Sequence, residues 1–427
     1  MIKKNKIKYI FPLILLLLSF SVTAQIRISS PYSRYGLGEM NVTQSTYSAG
    51  MGGIGLGLRH PTFINVNNPA SYTAFDSNSF VFDLGLVSKS TQLKSNISTQ
   101  DYTNYTTLNH LFFGFPITRW CGVSLGIMPF SKTGYKVNFS DTLTNVGKVL
   151  EEFTGSGGVN KVFLGVAFKP FSGFSIGLNL NYFFGTIFKD RSVYLPDDAY
   201  SYSIRVKNDI SVSGINIDYG MQYQLNLKKN YTLIVGTKFN LPMNVGAKRT
   251  LVAERFTKSG EIESIKDTLM YFDSERGKIK MPFGIGGGFT FSKKNIWMLG
   301  ADLEWQNWKN FRNFGATDSI NNSLSVSLGG EYIPSYLSPT GYWKKMSYRL
   351  GFRYSQNYLE LRNTKINDFS ATIGLGFPIR KIKTILNVAF EAGTKGSVSQ
   401  NLLQENYFRV ILGISFRDFW FYRPKLE

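Results

Sequence analysis

Over most of its length the chain alternates apolar and polar residues at period two. Near the C-terminus Phe408, Val410, Leu412, Ile414 and Phe416 fall on one side of an extended chain, while Tyr407, Arg409, Gly413 and Ser415 fall on the other. That spacing predicts a β-strand with one apolar and one polar face. The pattern recurs upstream. Leu386, Val388 and Phe390 alternate with Asn387 and Glu391, and Phe369, Ala371, Ile373 and Leu375 with Ser370, Thr372, Gly374 and Gly376. Tyr348, Leu350, Phe352 and Tyr354 oppose Arg349, Gly351 and Arg353. Trp297, Leu299, Ala301, Leu303 and Trp305 oppose Gly300, Asp302 and Glu304, and Phe174, Ile176, Leu178 and Leu180 oppose Gly177 and Asn179. The polar rows are small and glycine-rich, and aromatics stand at the ends of the apolar rows. A soluble sandwich hides its apolar face and shows a charged one. The rows here suit a lipid-facing exterior with aromatic girdles around a polar lumen, so the predicted fold class is all-β, a transmembrane antiparallel β-barrel.

Connection lengths support the same reading. Short turns are expected at residues 118–120, 170–172, 228–230, 293–295 and 380–383, alternating with long polar stretches at 140–158, 191–201, 253–276 and 309–322. Counting up and down segments from about residue 79 to about residue 416 predicts about 14 strands, an even number with both chain ends on the periplasmic side. The long stretches would then lie outside the cell.

The first residues bear on compartment. Lys3, Lys4, Lys6 and Lys8 precede an apolar run over 11–20, and Val22-Thr23-Ala24 supplies small residues before Gln25. Residues 1–24 are predicted to be an export signal cut after Ala24. The run is too short to cross roughly 30 Å of hydrocarbon as a helix, and no cysteine follows it to carry a lipid anchor. The expected location is the outer membrane of a Gram-negative cell. About 14 strands enclose a lumen too wide for wall side chains to fill. Residues 25–78, rich in glycine and aromatics and irregular in pattern, are expected to fold inside it as a hatch. Residues 79–427 would form the barrel and a short C-terminal tail.

Composition narrows the chemistry. Of 427 residues, 43% are hydrophobic, 15% aromatic and 41 are glycine, against a formal charge of +20. One cysteine, Cys121, and two histidines exclude an internal disulfide and a Cys/His zinc cluster. The G-x-S-x-G matches beginning at Gly122 and Gly173 lie within predicted strands with no helix to form a nucleophile elbow. The G-x-G-x-x-G match beginning at Gly50 has no preceding strand and meets Pro61. No enzyme activity, cofactor, metal or catalytic residue is therefore expected. The basic excess gathers at turns, including Lys228-Lys229, Lys293-Lys294 and Lys344-Lys345, where it can meet phosphates of outer-membrane lipids and lipopolysaccharide. Export leaves no nucleic-acid partner. Asp302, Glu304, Glu331 and Glu391 fall on predicted inward faces with Arg349, Arg353 and Arg409. Buried charges of opposite sign are expected to pair as a lumen network. Arg34 and Arg59 in the hatch are candidate partners for a hatch or ligand carboxylate.

Asn68-Pro69-Ala70, after a glycine-rich segment and just before the first strand, resembles the NPA element of the long-chain fatty-acid transporter family, the FadL-like outer-membrane transport proteins. Residues 31–38 (PYSRYGLG), Gly157-Gly158-Val159-Asn160 and Trp420-Phe421-Tyr422-Arg423 resemble its Bacteroidetes-type branch. The resemblance implies a hatch-plugged barrel that takes up hydrophobic small molecules, fatty-acid-like or aromatic, and releases them sideways through a gap at a kinked strand. Phe112, Phe113, Phe115 and Pro116, with Met128-Pro129-Phe130 on the next strand, are where proline would break the ladder. The same fold also serves as an accessory or shuttle subunit of outer-membrane secretion or assembly complexes. A continuous apolar channel from loops to lumen would favour uptake. A charge-sealed lumen with exposed aromatics at the loops would favour partner binding.

Overall fold

The alternating segments form strands, and the strands close into a ring. The computed structural model describes residues 30–96, 101–144, 147–196, 202–259, 262–336, 341–379 and 384–419. The expected export signal, the turn at 380–383 and the 420–423 motif lie outside the described residues. The strands are β1 Glu39–Met40, β2 Ser79–Lys94, β3 Asp101–Thr118, β4 Cys121–Lys132, β5 Tyr135–Leu143, β6 Gly147–Phe171, β7 Phe174–Tyr194, β8 Ser203–Asn226, β9 Tyr231–Asn240 and β10 Asn244–Ser259. They continue as β11 Ile262–Lys280, β12 Gly284–Lys293, β13 Trp297–Gln306, β14 Arg312–Asn313, β15 Ser323–Tyr332, β16 Ser347–Leu361, β17 Thr364–Pro378, β18 Thr384–Gly396 and β19 Gln404–Phe419.

Neighbours pair antiparallel, and β19 pairs with β2 from Phe419 opposite Ser79 to Gln404 opposite Lys94, which closes the ring. Three walls are each interrupted once, between β4 and β5, β9 and β10, and β11 and β12. The result is a closed 14-strand antiparallel barrel. Closure leaves no end strand with a free edge along its whole length, which a sheet in hydrocarbon needs because no water is present to pair one. Leu299, Leu328, Leu350, Phe408 and Leu412 are exposed on the outer face, whereas Tyr407, Ser415, Asn387 and Glu391 are buried inside. The predicted period-two rows thus face as expected.

The long stretches differ from expectation. Residues expected as loops at 140–158 and 253–276 instead carry the ladder onward. β5 pairs β6 from Tyr135 opposite Gly155 to Leu143 opposite Gly147, and β10 pairs β11 out to Ser259 opposite Ile262. A strand away from lipid needs only cross-strand hydrogen bonds and no apolar face, so hydropathy alternation does not mark it. β5, β6, β7, β8, β10 and β11 together rise past the ring as a wall on one side. The Gly157-Gly158 pair expected before a strand lies inside β6, where both residues have positive φ, 92° and 153°.

The N-terminal segment from Ser30 lies against the inner wall, and glycine makes that approach feasible. A Cβ added at Gly413 of β19 would meet Thr46 Oγ1 at 2.2 Å, one at Gly351 of β16 would meet Gly52 N at 2.1 Å, and one at Gly329 of β15 would meet Met51 O at 2.3 Å. Further round the ring, Gly236 of β9 would meet Leu56 O at 1.8 Å and Gly122 of β4 would meet Tyr72 O at 2.2 Å. The segment therefore travels round the barrel in chain order, backbone against backbone.

Gly236→Val is expected to reduce the folded barrel fraction sharply, because a backbone carbonyl cannot yield as a side-chain tip can. Gly287→Val, on the outer face with nothing within 4 Å, serves as the control and should fold like the parent. Heat-modifiable mobility in detergent gels measures both, and equal mobility shifts would refute the close-approach argument.

Candidate functional site: the filled lumen and the gap in its wall

The NPA element is a small structural device. Asn68 is fully buried and caps the short 3-10 helix Pro69–Ala74, its Oδ1 accepting from Ala70 N at 3.2 Å. Pro69 at the first helical position has no N–H to leave unpaired. The Asn68 Nδ2 group donates to Leu56 O at 2.8 Å, Met221 O at 3.1 Å and Thr237 O at 3.2 Å. One side chain therefore ties the segment to itself and to β8 and β9. Ala70 and Tyr72 are buried beneath it, and Tyr72 OH donates to Asn179 Oδ1 at 2.9 Å. An amide suits this position because it offers an acceptor to the helix and donors to carbonyls at once.

The predicted lumen charges all point inward, and most are paired. Arg349 Nε donates to Glu331 Oε2 at 2.8 Å, and Glu331 Oε1 accepts from Tyr47 OH at 2.9 Å. The Arg349 guanidinium also lies over the Tyr47 ring at 3.9 Å and donates to Asn387 at 2.8 Å. Glu391 accepts from Arg353 at 2.6 Å and Arg409 at 2.9 Å. Asp302 instead accepts from the backbone N–H groups of Gly55 and Leu56 at 2.6 and 2.9 Å, and Glu304 faces Lys238 at 3.8 Å. Five of these side chains thus fall into two pairing groups, Arg349 with Glu331 and Arg353 with Glu391 and Arg409. The other two bind the segment or a lysine absent from the sequence reading.

Arg34 and Arg59 have no carboxylate within ion-pair distance among the described residues. Arg34 lies over the Phe153 ring at 4.0 Å. Arg59 donates to Ala70 O, Ser175 Oγ, Gln222 Oε1 and Thr73 Oγ1 at 2.8 to 3.3 Å. Burial among these neutral oxygens brings its guanidinium down to about 10.

A group that sequence reasoning missed fastens the start of the segment. Glu39 in β1 accepts from Lys89 at 3.3 Å and Lys395 at 3.0 Å. Burial alone would raise its carboxyl, but Lys395 and Lys89 together hold it well below the usual carboxylate range. Ser30 hydrogen-bonds Glu405, and Tyr358 OH hydrogen-bonds the Gly38 carbonyl. The available signal was Lys89 on an inward row, opposite Arg409 and Tyr105 and so without an acid on either neighbouring strand.

Two apolar layers lie across the lumen. Toward the long connections, Tyr32 and Leu37 pack with Trp308, Phe311, Tyr358 and Leu402 and with inward residues of β7, β8 and β10. Toward the short turns, Ile64, Tyr72 and Phe75 pack with Phe112, Met128 and Phe163. Between them a cavity of about 260 Å³ is lined by the charged groups Glu39, Lys89, Lys161, Asp218, Lys238, Glu304, Arg353, Asp368, Lys395 and Arg409 together with Met40, Phe130, Phe183, Met281 and Trp308.

The wall is incomplete beside Met128-Pro129-Phe130, while Phe112, Phe113, Phe115 and Pro116, expected to share the opening, are paired with β4. β3 pairs with β4 only between Leu111 opposite Ile127 and Thr118 opposite Cys121. Pro116 falls in a bulge near the short turn but stays opposite Gly122, so it does not make the opening. Pro129 does mark it, since the β4–β6 register shifts between Pro129 and Ser131. Beyond that shift the exposed edge of β4 is taken by β1, with Ser131 opposite Met40 and Lys132 opposite Glu39. A second cavity of about 320 Å³ lies there, lined by Asn41, Val42, Tyr105, Asn109, Met128 and Pro129, and it shares Asn41, Val42, Tyr105 and Arg409 with the lumen cavity.

With this geometry established, the chain was compared with known proteins. The model of the family described as BamG matches residues 1–427. No curated protein matches. Among solved structures, a Pseudomonas aeruginosa FadL homologue aligns with TM-score 0.60 at 11% identity, covering 90% of this chain and 100% of that one. The Ralstonia pickettii toluene transporter TbuX aligns with TM-score 0.58 at 15% identity, covering 88% and 99%. The P. putida toluene transporter TodX aligns with TM-score 0.57 at 13% identity, covering 90% and 100%. The likeness expected from the NPA element and strand count is thereby borne out at the level of fold.

Two outcomes follow from the segment's anchoring. Asn68→Ala removes the cap and strands buried carbonyls, an expected loss of about 2–4 kcal/mol in urea unfolding. Asn68→Asp restores the cap acceptor but turns a carboxylate toward three carbonyls, and should recover nothing. His60 stacks on Phe63 and accepts from Thr62 N through Nδ1, and burial pushes its imidazole down to about 4 from 6.5. Its folded value is depressed, so the stability it contributes is present above about pH 6.5 and is lost as pH falls through 4. His60→Gln should flatten that part of the pH dependence, and an unchanged slope between pH 7 and 4 would rule the histidine out.

Proposed function

The chain belongs to the BamG family, and on that premise we propose that it is an outer-membrane barrel working as a closed accessory subunit of a larger outer-membrane assembly. The observation that carries this reading is the lumen, where a charged cavity lies between two buried apolar layers. Transfer of a greasy molecule through ion-paired carboxylates and guanidiniums would leave charges desolvated without partners, which is strongly unfavourable. In this reading the segment up to residue 78 is a permanent hatch. The lumen charges fix it in place, and the short turns face the periplasm.

The hairpin of β10 and β11 supplies the partner surface. Along β11, Ile262, Ile265, Leu269, Met270, Tyr271 and Phe272 are all exposed, with Ile262 at 76% and Tyr271 at 62%. Consecutive residues project to opposite faces of a strand, so the apolar surface is present on both sides of the hairpin. Lipid covers neither side if this wall rises past the membrane, and exposed apolar patches of that kind mark interaction sites.

A second reading is favoured by the gap between β3 and β4. There a cavity reaches from the lumen to the side of the barrel beside β1. A hydrophobic small molecule taken up from outside would leave by this opening if β1 moved away from β4. Arg34 and Arg59 would be the cations an acidic cargo meets. The solved barrels of the same fold include proteins described as toluene transporters.

Purification from native outer membranes in mild detergent, with mass spectrometry of everything retained, separates the two readings. A stoichiometric protein partner, lost from a chain carrying Ile265→Glu and Phe272→Glu while the barrel stays folded, is the expected result. Retention of a stoichiometric hydrophobic small molecule with no protein partner would overturn it in favour of uptake.

A further inference from the structure

The outer wall carries a feature that neither function uses. Across β13, β15 and β16 the outward residues stand in cross-strand rows. Trp297, Tyr332 and Tyr348 form one row, Leu299, Gly330 and Leu350 the next, and Ala301, Leu328 and Phe352 the one beyond. Gly330 therefore leaves a hole in the middle of an otherwise bulky apolar surface. Its outward orientation is clear, because a Cβ added there would meet Leu299 Cδ2 at 2.8 Å, and Leu299 is 58% exposed. Neighbouring Gly329 faces the opposite way, against Met51 of the inner segment. The hole opens into a groove of about 690 Å³, walled by Leu299, Leu328, Leu350 and Phe352 and bounded at one end by the aromatic row.

That end of the groove adjoins the short connections. Lys293 ends β12 and Lys294 follows it in the turn to β13. The connection between β15 and β16 carries Lys344 and Lys345 on the 3-10 helix Tyr342–Lys345. Ser335 N donates to Lys344 O and Ile333 N to Ile296 O, so the two connections lie side by side. Tyr348 OH donates to the carbonyl of Trp343, which places an exposed tryptophan beside the lysines. From lipid core outward the order is apolar groove, then the aromatic row with Lys293 opposite Trp297, then Lys294, Lys344 and Lys345. An aromatic row is what interfacial depth selects, and basic residues just beyond it meet headgroup phosphates.

The geometry points to a specific lipid site: one phospholipid with an anionic headgroup, an acyl chain lying over Gly330 and its phosphate held by the lysines of the two connections. The occupant is a lipid rather than a partner strand because the groove lies within the lipid-facing rows and its charged end matches a phosphate. The site rests on the outer-membrane placement proposed above and not on the accessory role, so loss of a protein partner leaves it standing.

The test uses the full chain reconstituted in nanodiscs of phosphatidylethanolamine and phosphatidylglycerol in equal amounts. The protein is then extracted into mild detergent, washed, and its retained lipid counted by mass spectrometry. The parent is expected to keep close to one phosphatidylglycerol per chain. Gly330→Leu, which fills the groove, should lower this at least fivefold, while Gly287→Leu, at an outward glycine of the neighbouring strand, should leave it unchanged. Lys344→Gln with Lys345→Gln lies outside the wall and avoids any question of folding. That pair should abolish the preference for phosphatidylglycerol over phosphatidylethanolamine. Equal retention by the two glycine variants, an unaltered headgroup preference in the lysine pair, or no retained lipid in the parent would each overturn the site.

Discussion

The structure depends on how closely a folded segment can approach a β-wall from inside. A wall strand with side chains on its inner face holds any second layer about 10 Å away. This barrel removes those side chains along a path, and the segment's own carbonyls and amides come within touching distance of the strand backbone at Gly236, Gly329 and Gly351, as does the Thr46 side chain at Gly413. Once that close, the segment's polar groups have no room for water and must be satisfied by the wall. Asn68 and Asp302 do this, the amide giving donors to carbonyls and the carboxylate accepting from two amides. The polar rows that mark the lumen in the sequence are thus largely an imprint of the segment they contact.

Glycine on an inward row lets the N-terminal segment approach the wall, but on an outward row it has no such use. Gly330 and Gly287 both face out, and only the first sits between two leucines above an aromatic row. The same residue type therefore carries different meanings according to the parity of its position. The alternation read from the sequence is what distinguishes them.

Strand count, closure and face were legible because lipid imposes one rule on every spanning segment. Leu299, Leu350 and Phe408 had to face out, and their neighbours had to face in. Beyond the membrane that rule lapses, which is why the far parts of β5, β6, β10 and β11 read as loops although they are strands. The charges at Arg349, Arg353 and Glu391 were legible as inward and as mutually compensating. Their geometry was not, since pairing across strands depends on register, and register is set by bulges such as the one at Pro129. Arg34 and Arg59 show the opposite failure. A guanidinium invites a carboxylate in a sequence reading, yet an aromatic ring and four neutral oxygens satisfy them here. Glu39 was invisible because its partners Lys89 and Lys395 lie 50 and 356 residues away along the chain.

The two functional readings differ in the behaviour of one short element. β1 covers the open edge of β4 with only two residue pairs, and backbone pairing of that extent is weak by itself. Glu39 adds two buried ion pairs at the same point, and Tyr358 adds a hydrogen bond to the adjoining carbonyl. Moving β1 aside would withdraw Glu39 from both lysines, leaving Lys395 its cross-strand acids Glu405 and Asp368 but Lys89 facing Arg409 and Tyr105. Breaking a buried pair by removing one partner typically costs about 3–5 kcal/mol, more than the pair contributes while intact. A neutral hydrophobic cargo arriving in the lumen offers those lysines nothing in exchange. An opening driven by cargo would therefore have to offset the loss at Lys89, which has no acid opposite it on either neighbouring strand. Under the closed reading β1 stays in place and Glu39 keeps both of its lysines.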